Sequence, residues 1–347
     1  MSIPYKSYNT INYIFTVWRN NAPLKTIEAY DAGTITSDVE SELKTSYHGI
    51  FWEYSEINFV SDQLRIDCEI NGKTYPLGVF CVTTEAPYSS NGLRLIEIEA
   101  YSLLWILQQC RIENRVTYAK GESYVSIIQG LMQSAGLINF EIEASDLTLS
   151  TDREDWDIGT DYLTIINDLL DEINYNDLYV DNEGKIRAKK YIAPTVSGVT
   201  HVYSEGENSI ISADYRLTND RFGRANVFIV ICDNPELDAT LRVESVNDDI
   251  SSPYSVTNLG RRVASITYVD NTPSADELQN YADKLNAQSK QTNEVIEFST
   301  AIQPDHIPYE ILMVIVGGAS GVYRETGYEI SMGAGGQMKH TAMRVIV

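Results

Sequence analysis

The sequence has few of the residues that build metal and redox sites. Its 347 residues include four cysteines and four histidines, and no two cysteines form a CxxC pair. The histidines (His48, His201, His306 and His340) are scattered singly, without the HExxH spacing of zinc enzymes. A lone histidine is more often an ordinary core or surface residue than a ligand. We therefore expect no metal and no other cofactor.

Basic residues are also scarce, with 26 Lys and Arg against 49 Asp and Glu and a formal net charge of −23. A chain without a cationic surplus cannot bind a phosphate backbone through counterion release, and anionic lipid surfaces repel it. No apolar run approaches the roughly 20 residues of a membrane helix. The N-terminus lacks the pattern of a signal peptide. We therefore expect neither specific nucleic-acid binding nor membrane insertion. We also expect the protein to be synthesised in a cytoplasm.

The cysteines are predicted to be free thiols. An Asn-Gly turn at 71–72 separates two alternating apolar and polar runs, which is a strong hairpin signal. The register of this hairpin places Cys68 opposite Tyr75 rather than opposite Cys81. A cross-strand disulfide is therefore not expected, and buried thiols in a reducing compartment are the simpler interpretation.

Tyrosine is the abundant aromatic residue, with 23 Tyr against 8 Phe and 4 Trp. Its apolar ring and polar hydroxyl suit half-buried sheet faces and protein interfaces. Short runs rich in β-branched and aromatic residues fill the first hundred and the last hundred and fifty positions. These features favour a β-rich protein with large contact surfaces.

Helical patterns concentrate in the middle of the chain. Apolar residues at helical spacing predict helices over 123–135 and 161–174, with Ser123 and either Thr160 or Asp161 as caps, and a hairpin follows at 178–191. A short helix capped by Ser102 is also expected. Another helix follows the capping box Ser274–Glu277. We predict a β domain at 1–111, a small α/β domain at 112–198, and a β domain with one helix at 199–347.

Motifs for nucleotide binding and nucleophilic catalysis do not fit. The glycine-rich segments 317–321 and 333–336 lie between strand patterns, so they indicate hairpin turns rather than phosphate loops. The segment 141–183 holds fourteen acidic residues and one basic residue, Arg153. Glycoside hydrolysis uses paired carboxylates, but in so dense a run acid pairs arise by chance, and a solvated acidic face is the simpler explanation.

Three stretches resemble one known family. The first is DYLTIINDLL (161–170) running into LYVDNEGKIR (178–187). The second is the helix of the capping box Ser274–Glu277 followed by EVIEFSTAIQP (294–304), and the third is ETGYEISM (325–332) with GGQMKHTAMR (335–344). They are similar to the baseplate hub proteins of contractile phage tails, defective prophages and R-type bacteriocins (tailocins). The residues that carry this similarity are Asp161, Tyr162, Leu163, Ile166, Leu170, Gly184, Tyr328, Gly333, Gly335, His340 and Arg344. Taken alone, His340 is interpreted as an ordinary sheet residue.

The resemblance implies an α+β, β-rich fold, with two tail-tube-like antiparallel β-barrel domains and a small α/β domain between them. It implies a homotrimer whose six barrels form a pseudo-sixfold ring. Such a ring joins the hexameric tail tube above to the trimeric central spike below, among other baseplate proteins. The chain would then be a structural component of a phage or phage-like tail particle, made in the bacterial cytoplasm, and not an enzyme. The implied duplication is not visible in the residues themselves.

Two alternatives stay open at this point. One is a tail-associated cell-wall hydrolase that uses paired carboxylates of the acidic segment. The other is a β-rich carbohydrate-binding or receptor-binding tail protein. The sequence places no catalytic, cofactor-binding or metal-binding residue for either.

Overall fold

The computed structural model describes residues 10–20, 22–154, 156–206, 209–219, 225–232, 240–269, 271–272, 274–289 and 294–345. Strands dominate these residues, as the composition predicted. The strands of the N-terminal part are β1 (Ile11–Arg19), β2 (Ala22–Ile27), β3 (Ala29–Asp38), β4 (Thr45–Trp52), β5 (Gln63–Ile70), β6 (Lys73–Ser90) and β7 (Leu93–Ser102). They pair antiparallel in the order β3-β4-β7-β6-β5-β1-β2.

These seven strands curl around one apolar core, to which every strand contributes, and we call this unit the N-terminal barrel. The hairpin between β5 and β6 has the predicted register: Cys68 lies opposite Tyr75, and Asn71 and Gly72 both take positive φ angles. All four cysteines lie in the described ranges and are thiols rather than disulfides, and Cys81 is buried.

The small middle region consists of helices and short strands. Its elements are α1 (Leu104–Gln109), α2 (Tyr124–Ser134), β8 (Phe140–Ile142), α3 (Tyr162–Glu172), β9 (Tyr179–Val180), β10 (Ile186–Ala188) and a 3₁₀ turn (Val196–Gly198). Ser123 caps α2 and Asp161 caps α3, as predicted. The predicted cap at Ser102 is wrong: α1 has no side-chain cap, and the Ser102 hydroxyl donates instead to the carbonyl of Leu43.

The C-terminal part contains two separate sheets. Its elements are β11 (His201–Ser204), β12 (Ile211–Asn219), β13 (Val227–Cys232), β14 (Leu241–Val246), α4 (Val256–Leu259), β15 (Ala264–Val269), α5 (Ala275–Ser289), β16 (Glu294–Thr300), β17 (Ile311–Val316), β18 (Ala319–Ser331) and β19 (Met338–Val345). Six of the strands, in the order β12-β16-β19-β18-β17-β11, surround a second core, and we call this unit the C-terminal barrel. The glycine-rich segments form the turns of its hairpins, as predicted.

Strands β13, β14 and β15 were expected in the C-terminal barrel but form a three-stranded sheet of their own. The reason is the apolar stripe of α5. Val230 and Cys232 of β13 pack against Leu278 and Ala282 of this helix. The helix therefore covers the apolar face of the three-stranded sheet, which does not need the core of the barrel. Ser274 caps α5 as predicted, with the amide of Glu277 donating to the hydroxyl of Ser274 at 3.1 Å. The Glu277 carboxylate, expected to close the capping box, accepts instead from the side-chain amide of Asn174 at 2.7 Å.

The strand β18 joins the two barrels. Its first half, 319–324, pairs with β17 inside the C-terminal barrel, and its second half, 327–331, pairs with β3 of the N-terminal barrel. The two barrels therefore share one continuous 13-stranded sheet. A register shift between Glu325 and Gly327 marks the point where β18 changes partner.

The two barrels have the same strand order. Strand for strand, β3-β4-β7-β6-β5-β1 corresponds to β12-β16-β19-β18-β17-β11. The bulges correspond as well. Thr83 at the bulge of β6 donates its hydroxyl to the carbonyl of Glu99 at 3.2 Å, and Thr326 at the bulge of β18 donates to the carbonyl of Thr341 at 3.2 Å. One exception is that β1 runs antiparallel to β5 whereas β11 runs parallel to β17.

Within the described ranges, no helix is long and apolar enough to cross a membrane.

We expect Asp161→Ala to destabilise the middle region, because the Asp161 carboxylate accepts a hydrogen bond from the amide of Thr164 at 2.9 Å. Loss of a helix N-cap costs about 1 kcal/mol. Urea unfolding followed by circular dichroism measures this loss. Asp157→Ala, at an exposed acid in the same loop, is the matched control. Equal stability of the two variants would contradict the capping role.

Candidate functional site: the junction between the barrels

The junction is built on the ladder between β3 and β18. Ile35 lies opposite Ile330, and Ser37 lies opposite Tyr328. The ladder continues beyond the paired positions, since the amide of Met332 donates to the carbonyl of Gly33 at 2.8 Å. Residues of the C-terminal part complete the core of the N-terminal barrel: Ile302, Tyr328, Ile330, Met332 and Met338. The core of the N-terminal barrel is therefore incomplete without the C-terminal part.

A turn of the middle region, Asp181–Gly184, lies between the two barrels and contacts residues of both parts of the chain. The Asn182 side-chain amide donates to the carbonyls of Pro304 and His306, both at 2.9 Å. Glu183 forms a salt bridge with Arg65 of β5 at 3.1 Å. Gly184 has a φ angle of +81°, and a Cβ there would lie 2.7 Å from the side chain of Val79. The turn thus contacts the N-terminal barrel on one side and the loop 301–310 on the other.

Behind this loop lies a buried group of ionisable side chains, which we call the histidine cluster. It comprises His201, Tyr203, His306, Glu310, Glu325 and His340. Glu325 is at its centre, and its two carboxylate oxygens accept hydrogen bonds from Nδ1 of His306 at 2.7 Å and from Nδ1 of His340 at 2.6 Å. Nε2 of His306 is hydrogen-bonded to the hydroxyl of Tyr203.

The charges of the cluster compensate one another. Burial disfavours the carboxylate of Glu325, but the two imidazoles outweigh this cost and lower its pKa to about 2. Burial also disfavours the imidazolium of His306, but Glu325 and Glu310 outweigh it, so the pKa of His306 is raised. For His340 burial prevails, and its pKa is lowered. The cluster therefore holds a buried ion pair of Glu325 and His306, with the imidazole of His340 as a neutral hydrogen-bonding neighbour.

Two triads of the cluster bring their donor atoms within 4.8 Å of one another: His201, His306 and Glu310, and His306, Glu325 and His340. In the first triad, the rings of His201 and His306 stack with centroids 4.1 Å apart and planes 17° apart. An ion in the plane of one stacked ring lies outside the plane of the other. In the second triad, the short contacts between the imidazoles and Glu325 are hydrogen-bond distances. The geometry favours proton sharing over metal binding.

The structure distributes the residues of the family resemblance over two places. Leu163, Ile166 and Leu170 are buried on one face of α3, beside the cap Asp161 and the half-buried Tyr162. At the junction lie Gly184, Tyr328, whose hydroxyl donates to the carbonyl of His306 at 3.3 Å, and His340. Gly333 and Gly335 form the turn before β19, and Arg344 forms a salt bridge with Glu294 at 3.0 Å. Their role as framework residues shared with the family stays a prediction.

The inner carboxylates of the acidic segment are engaged in structural contacts. Glu172 forms a salt bridge with Arg153 and accepts a hydrogen bond from the hydroxyl of Tyr124 at 2.6 Å. Asp168 accepts a hydrogen bond from the indole of Trp156 at 3.0 Å. Both acids line a cavity of about 210 Å³ between α3, α5 and β15.

Sequence reasoning missed the histidine cluster because its members come from separate elements. His201 lies on β11, His306 in the loop before β17, Glu325 on β18 and His340 on β19. Their spacing carries no local pattern, and only the pairing of the strands brings them together. The interpretation of His340 as an ordinary sheet residue was therefore incomplete.

Comparison with solved structures identifies the fold. The tail protein from Neisseria meningitidis MC58 matches with a TM-score of 0.69 at 12% identity, covering 96% of both chains. The prophage MuSo2 43 kDa tail protein from Shewanella oneidensis matches with a TM-score of 0.65 at 13% identity, covering 95% of this chain and 98% of that one.

The E. coli c3393 protein matches with a TM-score of 0.51 at 10% identity, covering 100% of this chain and 76% of that one. It is described as a component of the type VI secretion system with structural similarity to the T4 tail proteins gp27 and gp5. No family model matches the sequence, and no curated protein matches it by sequence. The β-rich fold that the resemblance implied is confirmed: the chain has the fold of phage tail proteins.

We expect His306→Gln to destabilise the protein more at pH 5.5 than at pH 9. The raised pKa of His306 means that its contribution is complete below the unfolded pKa near 6.5 and is lost as the pH rises through the folded pKa. Breaking a buried ion pair costs about 3–5 kcal/mol. Thermal unfolding at several pH values measures the difference from the unmodified protein.

The matched control for this prediction is His48→Gln, which alters an exposed histidine paired with Glu97. A deficit of the His306 variant that stays constant between pH 5.5 and pH 9 would show that the imidazolium does not stabilise the cluster.

Proposed function

We propose that the chain is a structural baseplate hub. Three copies would form a pseudo-sixfold ring that joins a hexameric tail tube to a trimeric central spike in a contractile tail or injection particle. The single observation that carries this proposal is the pair of barrels with the same strand order, joined by one sheet. A trimer of such chains presents six similar barrels to a sixfold partner and three chains to a threefold partner.

The division of the chain into 1–111, 112–198 and 199–347 belongs to this proposal. The first and third parts each supply one barrel, and the middle part supports the junction through the turn Asp181–Gly184. The separate sheet of β13, β14 and β15 is an elaboration of the third part. The fold of tail proteins and the likeness to a type VI secretion component support a place in a tail particle. Such a particle is assembled from proteins made in the bacterial cytoplasm.

The proposed role is not enzymatic. The engagement of Glu172 with Arg153 and Tyr124, and of Asp168 with Trp156, supports a structural use of the acidic segment. The cell-wall hydrolase remains the second candidate, because the cavity beside α3 holds several carboxylates. The receptor-binding alternative has no comparable feature among the described residues.

The test is the solution mass of the purified chain, measured by light scattering and followed by electron microscopy of the same peak. We expect three times the chain mass of 39.0 kDa and an outline with an open centre. A chain that stays monomeric even when mixed with its tube and spike partners would contradict the hub.

A second assay separates the hub from the hydrolase. We expect the purified trimer to leave bacterial cell walls intact in a turbidity assay. Clearing that is lost in Asp171→Asn, an acid that lines the cavity, would support the hydrolase. Asp157→Asn, an exposed acid outside the lining of the cavity, is the matched control for that assay.

A further inference from the structure

Two strand edges of the chain are exposed and correspond to the two edges that meet at the junction. Among the residues that the structure describes, the outer edge of β12 has no partner strand, although β12 is the counterpart of β3. Within the described part of the chain, the second half of β6 pairs with β7 alone, although it is the counterpart of the half of β18 that pairs with both β19 and β3. The positions from Thr84 to Ser89 on this half are exposed.

The bulge threonines align these halves residue by residue. Because Thr83 corresponds to Thr326, the positions that follow correspond in turn. Ala86 matches Glu329, Pro87 matches Ile330, and Tyr88 matches Ser331. The same ladders align β12 with β3 through β16 and β4. Arg216 matches Thr34, Leu217 matches Ile35, and Thr218 matches Thr36.

We propose that β12 of one copy pairs antiparallel with the second half of β6 in a second copy of this chain. This inference rests on the proposed trimer and names its interface. The register follows from the junction within the chain. Thr218 then lies opposite Ala86, Leu217 opposite Pro87, and Arg216 opposite Tyr88.

The side chains at these positions suit such a contact. Leu217 is 36% exposed, whereas its counterpart Ile35, which has a partner strand, is fully buried. Tyr88 is 38% exposed. In the proposed register the guanidinium of Arg216 faces the ring of Tyr88, an arrangement that favours a cation–π contact. Docking therefore covers apolar surface on both strands.

Pro87 is compatible with the pairing. Its counterpart Ile330 forms a hydrogen-bonded pair with Ile35, so the nitrogen at this position faces the partner edge, which in β6 is the free edge, as expected for proline in an edge strand. The docked strand loses one hydrogen bond from the ladder and keeps the carbonyl of Pro87 as an acceptor. By contrast, the free edge of β2 carries Pro23 and Lys25 and has no counterpart at the junction, and such residues protect an edge from pairing.

The interface is heterologous, because it joins two different surfaces of the same chain. Repetition of such a contact produces a closed ring when the rotation between neighbouring copies is a whole fraction of a full turn, as it is in a trimer. In a trimer, junctions within chains would alternate with junctions between chains, so that each of the six barrels contacts its neighbours through the same kind of strand pairing.

Engineered cysteines test the register. At the junction within the chain, the amide of Val39 donates to the carbonyl of Thr326, so Thr36 and Glu329 form a pair without backbone hydrogen bonds. Cα atoms in such pairs are about 4.5 Å apart, which a disulfide can span. In a Cys110→Ser background, we expect oxidation of Thr218→Cys with Ala86→Cys to give covalent dimers and trimers on a denaturing gel.

Two controls accompany this variant. Thr36→Cys with Glu329→Cys is the equivalent pair within one chain and is expected to cross-link without increasing the mass. Thr218→Cys with Glu85→Cys moves one partner to the opposite face of the strand, so we expect no cross-link. A trimer seen by light scattering in which Thr218→Cys and Ala86→Cys do not cross-link would overturn the proposed interface and leave the hub intact.

A charge substitution gives an independent test. We expect Leu217→Lys to weaken the trimer, because it places a charge in the apolar contact. The protein concentration below which the trimer dissociates should rise by at least about tenfold, while the melting temperature of the monomer stays unchanged. Leu24→Lys, on the exposed edge of β2, is the matched control. Equal trimer stability in both variants would overturn the interface. A protein that is monomeric at every concentration and forms no cross-link would overturn both the interface and the hub.

Discussion

The pairing of the second half of β18 with β3 is the contact on which the rest of the structure depends. It makes one sheet of two barrels, and it places Tyr328 and Ile330 in the core of the N-terminal barrel. The bulge at Thr326 allows this exchange of partners, since a bulge bends a strand and increases its local twist. Without this pairing, β3 would keep β4 as its partner on one edge and lose its partner on the other edge.

The polar groups near this contact fix its geometry rather than its strength. A buried ion pair contributes little net stability compared with well-packed apolar residues, because both charges lose their hydration. Glu325 and His306 instead restrict how the loop 301–310 lies against β18 and β19. Asn182 ties the same loop to the middle region. The network therefore determines one arrangement of three parts of the chain.

Local features of the fold could be predicted from the sequence, whereas the exchange of strand partners could not. The register that places Cys68 opposite Tyr75 and the cap at Asp161 depend on neighbouring residues, so the pattern of a few positions predicts them. Nothing in the residues of β18 indicates that its second half leaves one barrel for another. The segregation of β13 depends on packing against α5, and the histidine cluster depends on strand pairing, so both required the tertiary structure.

The shared core has a kinetic consequence. About 295 positions separate Ile35 from Ile330, and because closing so long a loop costs entropy, we expect this contact to form late in folding. Until β18 pairs with β3, one hydrogen-bonding edge of β3 remains free to pair with other strands. Unpaired edges of this kind promote aggregation during synthesis. A nascent or shortened chain that lacks β18 would retain this open edge and would be a substrate for chaperones and proteases. The same dependence would keep incomplete chains out of an assembling particle.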